Sequence, residues 1–118
     1  GVAVNFDPAN LQMVWKEDAA AAVKNLAPYI VHTHAKDGRQ LYFRNPEEIY
    51  GIVQPEPDAV ISPSFEELPL GVGDVDFKGW LDALRGIGYN SFLTIEREVG
   101  GNPEADIRKA VEYLQTLI

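Results

Sequence analysis

The chain has no cysteine among its 118 residues. That excludes disulfides, thiolate nucleophiles and cysteine-bound zinc together, and leaves only oxygen and imidazole donors for any metal. It also predicts a cytoplasmic setting, since secreted domains of this size often need disulfide staples. Positive charge is scarce: 10 Lys and Arg face 18 Asp and Glu, a net charge of −8. Nucleic acids and anionic membranes are met by clustered Lys and Arg, so neither is an expected partner. No apolar run approaches the roughly 18 residues of a membrane-spanning helix. No signal peptide precedes the first apolar segment and there is no initiator Met, so the expectation is a chain that starts within a larger domain. What is present is globular in kind: 46% of the residues are hydrophobic, enough for one modest core.

Apolar runs of strand length alternate with segments of helical period. Val2 to Asp7 reads as a first strand closed by Pro8. A weak helical stretch follows, best defined from Asp18 as N-cap through Ala19, Ala20, Val23 and Leu26, and stopped by Pro28. Tyr29 to Lys36 is a second strand, rich in β-branched residues. Phe65 to Leu70 is a short third. From Asp76, Phe77, Trp80, Leu81, Leu84 and Ile87 repeat at helical spacing, with Gly86 or Gly88 available to close the helix in the left-handed region. Ser91 to Glu96 is a fourth strand. A final helix has Asn102 as N-cap, Pro103 in its first turn and Ile107, Ala110, Val111, Leu114 and Leu117 on one face. Residues 38 to 64 interrupt this rhythm with Pro46, Pro55, Pro57 and Pro63. They read as a long loop with one helical turn at Pro46 to Tyr50 and short apolar islands such as Ile49-Tyr50 and Val60-Ile61; a loop of that length is usually functional or mobile.

This order implies a parallel α/β sheet with right-handed crossovers, as an open doubly wound sheet or a (β/α) barrel. Asp7-Pro8-Ala9-Asn10 is not the Gly-rich turn that a nucleotide-binding open sheet places after its first strand, and Gly71-Val72-Gly73 lacks the remaining glycine of that fingerprint. In either closure the ligand site lies at the carboxyl ends of the strands. The first strand ends in Asp7, the second carries His32, His34, Lys36 and Asp37, and the fourth ends in Glu96. Alternation puts Asn5 with Asp7, His32 with His34 and Lys36, and Thr94 with Glu96. If these faces coincide, Asp, His and Glu converge at a barrel mouth. Carboxylates and neutral imidazole suit Mn, Mg, Co or Zn, which polarise a carbonyl and stabilise an enediolate. Each residue also has a plainer reading: Asp7 as a helix cap, His32 and His34 as core residues, Glu96 as the partner of Arg97 or Arg39.

The strings Asn5 to Asn10, His32-Thr33-His34-Ala35-Lys36-Asp37, Pro69 to Phe77, Ile87-Gly88-Tyr89 and Leu93 to Glu98 occur in one order and spacing. Together they resemble the sugar phosphate isomerase/epimerase family, the xylose-isomerase-like TIM barrels, in its C-terminal half. The resemblance implies an α/β fold in which residues 1–118 are a single partial domain, parallel (β/α) units forming strands 5 to 8 of the barrel. It implies Asp7, His34 and Glu96 as ligands of a divalent metal, His34 rather than His32 because the family's ligand directly precedes the x-Lys-Asp string. Glu96 is the implied acid/base. Lys36, Arg39, Asn10 and His32 are the implied substrate-side residues, although several epimerases carry His where Asn10 stands. The family completes its metal site with a Glu from strand four, which here would precede Gly1.

The implied activity is that of a metal-dependent isomerase or epimerase of a small sugar or polyol, working by proton transfer beside a chelated carbonyl. A dehydratase of the same scaffold is an alternative. So is a non-catalytic half barrel that needs a second copy, as a homo-oligomer, or a missing N-terminal half to cover its edges. The DNA-repair endonuclease branch of the superfamily wants more His ligands and a basic face, which two His and a charge of −8 oppose.

Overall fold

The structure, a computed structural model, describes residues 1–57 and 62–118. Strand β1 (Val4–Phe6) is followed by the short helix α1 (Pro8–Asn10), which widens into a π-helical turn over Leu11–Trp15 and closes at Lys16 with φ of 55°. Helix α2 (Ala19–Leu26) starts on the Asp18 cap, whose carboxylate accepts from the amides of Ala20 and Ala21. Pro28 lies in a 3-10 turn that hands the chain to strand β2 (Ile30–Ala35).

The segment after β2 departs from the sequence reading. The third strand was expected to join the parallel sheet. Instead β3 (Asp37–Gln40) and β4 (Phe65–Leu68) form a separate antiparallel pair, with Arg39 opposite Glu66. Among the described residues the parallel sheet has three strands rather than four, in the order β1-β2-β5, where β5 is Leu93–Ile95. The reason lies in residue chemistry: Phe65-Glu66-Glu67-Leu68 has two carboxylates in four positions, which does not suit a strand covered on both faces as a parallel sheet demands. The long loop therefore begins as a strand. It contains the expected turn as helix α3 (Pro46–Ile49), capped by Asn45. The Val60-Ile61 island lies outside the described residues.

Helix α4 (Phe77–Gly86) buries Phe77, Trp80, Leu81, Ala83 and Leu84, and Gly88 at φ of 76° is the left-handed residue after it. It packs against α2, and the two cover the face of the sheet that carries Phe6 and Ala35. Helix α5 (Pro103–Gln115) buries Ala110 and Leu114 and brings Tyr113 edge-on to Phe77. Ile107 and Val111, expected on its buried face, remain about 40% exposed.

The opposite face of the parallel sheet is polar. Asn5, His32, His34 and Thr94 stand there, linked in pairs: Asn5 Nδ2 to His34 Nε2 at 3.0 Å, and Thr94 Oγ1 to His32 Nε2 at 2.8 Å. One face meets the helices and the other meets whatever occupies the carboxyl end of the sheet.

Candidate metal centre

Three adjacent strand ends build the site. β1 delivers Asp7, β2 delivers His34, and β5 delivers Glu96, whose amide donates to the Ala35 carbonyl at 3.1 Å and so continues the ladder past the strand. One donor atom from each of Asp7, His34 and Glu96 lies within 4.8 Å of the others. His34 Nδ1 is the nitrogen turned inward, 3.1 Å from Glu96 Oε2 and 4.0 Å from Asp7 Oδ2.

Asp7 serves two readings with two different oxygens. Its Oδ1 accepts from the amides of Ala9 at 2.8 Å and Asn10 at 3.1 Å and so caps α1. Its Oδ2 is buried and has no hydrogen-bond partner among the described residues. A buried carboxylate oxygen without a donor costs free energy unless a cation meets it. Burial pushes the Asp7 carboxyl above its ordinary value and the neighbouring Glu96 adds to this, against the Asn10 and Ala9 amides and Lys36. The donor set is oxygen and imidazole on open strand ends, so it fits a divalent ion with exchangeable positions.

Lys36 stands behind Glu96 rather than in open solvent. The residue is 4% exposed, and its ammonium lies 3.2 Å from Glu96 Oε2 and 3.6 Å from Glu67 Oε2, with Glu98 also in contact. Burial alone would lower its pKa; the hydrogen bonds to Glu98 and Glu96 outweigh that and hold it above the ordinary lysine value. Arg97 does not pair with Glu96. It bridges Glu67 at 2.8 Å and Asp106 at 2.8 Å, tying β5 to β4 and α5. Around the triad, among the described residues, Asp7, Glu67, Glu96, Glu98 and Asp106 face Lys36 and Arg97 as permanent cations, an excess of negative charge that a divalent ion would offset.

The other expected residues are dispersed. His32 sits deeper on the same face, against Thr94 and edge-on to His34. Arg39 donates to the Val72 carbonyl and pairs with Glu66, so its partners lie in the hairpin and the following loop rather than in the triad. Asn10 lines a cavity of about 210 Å³ beside Asp7, together with Asn5, Trp15 and Tyr50. Trp15 and Tyr50 carried no motif and were not legible as site residues.

Asp37 is also outside the triad and has a different task. Fully buried, it accepts four amides: Gly38 and Val75 on Oδ1, Gly71 and Gly73 on Oδ2. Burial pushes its carboxyl up while these amides pull the other way. A Cβ on Gly73 would come within 2.6 Å of the Gly38 amide nitrogen and closer still to the Asp37 carboxylate, so the loop needs glycine there.

The model of the xylose isomerase-like TIM barrel family matches residues 1–117. The chain belongs to that family. Among solved structures, it is similar to a xylose isomerase domain protein from Planctomyces limnophilus, with 30% identity and a TM-score of 0.72. The match covers 98% of this chain and 37% of that one, so the chain spans a little over a third of its relative's length. No curated protein matches the chain. The shared architecture is α/β with a parallel sheet, part of a TIM barrel, and Asp7, His34 and Glu96 form a candidate metal-binding triad within it. Among the described residues, no helix is long and apolar enough to cross a membrane.

Proposed function

We propose that the chain is the C-terminal part of a metal-dependent isomerase or epimerase of a small sugar or polyol. The observation that carries the reading is the buried, unpartnered Oδ2 of Asp7, aimed at His34 Nδ1 and Glu96 from a neighbouring strand end. Asp7, His34 and Glu96 would hold a divalent ion, one of Mn, Mg, Co or Zn, which when bound supplies polarisation of a substrate carbonyl. Glu96 is the acid/base. Both His34 and Lys36 meet it through Oε2, which leaves Oε1 to take a proton from the carbon beside the carbonyl and return it. Lys36 holds the Glu96 carboxylate in place through Oε2 from behind the triad. Asn5, Asp7 and Asn10 give the cavity beside Asp7 a polar side that a hydroxylated carbon chain could meet, with Trp15, Tyr50 and apolar residues on its other walls.

Among the described residues, three parallel strands leave the outer edges of β1 and β5 unpaired, and a closed barrel of this kind has eight. The remaining strands come from the rest of a longer polypeptide or from a second copy, and a further carboxylate ligand comes with them. The test is an assay of ketoses, aldoses, inososes and their phosphates. Interconversion should disappear with a chelator, return with added Mn(II), and be lost in Glu96→Gln. Turnover that survives both chelation and Glu96→Gln overturns the proposal, and loss of water from an inosose in place of interconversion would assign the dehydratase reaction instead.

A further inference from the structure

His34 meets the carboxylates with one ring nitrogen and Asn5 with the other. Nδ1 lies 3.1 Å from Glu96 Oε2 and 4.0 Å from Asp7 Oδ2. Nε2 lies 3.0 Å from Asn5 Nδ2. A neutral imidazole has one N–H and one lone pair, so the role of each nitrogen fixes the role of the other. With only protein groups around it, Nδ1–H donates to Glu96 and Nε2 accepts from the Asn5 amide. With a cation between the three side chains, Nδ1 must present its lone pair, the proton must sit on Nε2, and residue 5 must accept.

A side-chain carboxamide does both. It offers donors at one end and an acceptor at the other in nearly the same shape, and half a turn about its terminal torsion exchanges them. Asn5 is exposed on the polar face of the sheet, with room for that turn. Asp could only accept, and an apolar residue could do neither. On the metal reading given above, we propose that Asn5 is a positioning residue for His34. It holds the Nδ1–H tautomer in the ion-free protein and turns over to hold the Nε2–H tautomer when a divalent cation is taken up. One proton leaves Nδ1 and one is gained at Nε2, so the exchange itself changes no net charge.

The experiment is ring ¹⁵N–¹H correlation spectroscopy of the labelled protein, with and without Zn(II) as the diamagnetic probe, alongside calorimetric titration with Zn(II). The chain has two histidines, so His32→Gln assigns both rings. In the ion-free protein His34 should show the Nδ1–H pattern, and Zn(II) should convert it to Nε2–H. Asn5→Asp, which keeps the side-chain shape but can only accept, should show a proton on Nε2 before any ion is added, while Nδ1 can still donate to Glu96. Asn5→Leu should weaken Zn(II) binding by about 10- to 100-fold, the usual range for losing such an outer partner. A His34 tautomer that is the same in both states, or that ignores the residue at position 5, overturns this inference alone. Failure of Zn(II) to move either His34 nitrogen overturns the metal reading and this inference together.

Discussion

Asp7→Asn separates the two tasks of Asp7, because the structure assigns them to different oxygens. Asn retains an oxygen for the Ala9 and Asn10 amides and is as good an N-cap as Asp, so the start of α1 is preserved. The group that changes is Oδ2, buried without a donor. An amide there carries no charge to desolvate, and its N–H can donate toward Glu96. Relieving one unsatisfied buried polar atom is worth about 1 to 3 kcal/mol, less the strain of seating a new donor. A net gain of about 1 kcal/mol for the ion-free protein corresponds to a Tm higher by about 4 °C for a chain of this length.

The ion-bound comparison runs the other way. At a hundredfold excess of free ion over Kd, binding stabilises the wild type by about 2.7 kcal/mol, or about 10 °C; Asp7→Asn should show almost none of this. Thermal unfolding followed by circular dichroism, with chelator and then with Mn(II), measures both. The reasoning is refuted if Asp7→Asn lowers the ion-free Tm by several degrees, which would make Asp7 a structural residue, or if the variant keeps the ion-dependent rise.

The same carboxyl gives a pH dependence. Burial raises the folded-state pKa of Asp7 above 3.8, so between the two values the folded state binds more protons. Its contribution is present below about 3.8 and lost as pH rises through the folded value; urea midpoints of the ion-free protein should fall across that window more than those of Asp7→Asn, and added Mn(II) should erase the difference. Asp37→Asn should cost about 3 kcal/mol in urea unfolding, because either orientation of the amide sets its NH₂ against two of the four donating amides, each worth about 1 to 3 kcal/mol when orphaned; a cost below about 1 kcal/mol would refute the clamp. Lys36→Met should lower stability by about 2 kcal/mol, under the usual cost of breaking a buried pair because Glu96 and Glu98 are partly solvated. Calorimetry should find its divalent affinity unchanged or tighter, since a competing cation beside Glu96 has gone; a tenfold loss would contradict this.

How much of this was legible in the sequence depended on how local each signal was. The helix starts at Asp18, Asp76 and Asn102 are set by side chains bonding amides two or three residues away, and all three were readable. That an Asp, a His and a Glu would converge was readable because strand alternation fixes the face and strand ends fix the level; the choice of His34 over His32 came from the family resemblance. The partner of the third strand was not, since its pairing with Asp37–Gln40 joins segments far apart in the chain and no local signal names the partner. Nor were the partners of Arg97: three ionisable residues in succession, Glu96-Arg97-Glu98, give no hint that the middle one turns away to Glu67 and Asp106.

Asp7 and Asp37 show why a site and a scaffold can share one residue type. Asp37 has both oxygens met by amides and holds the Gly71 to Val75 loop to the hairpin. Asp7 has one oxygen met and one left bare. Both carry burial that disfavours the charge, but only Asp7 lacks the internal donors that would offset it. A chain folding for stability alone would be expected to fill that vacancy with a backbone amide, as it does thirty residues later. Leaving it open beside an inward-facing imidazole nitrogen and a second carboxylate costs the ion-free fold stability and keeps a position for a cation, so the deficit at Asp7, rather than the count of acidic residues, is the argument for a metal here.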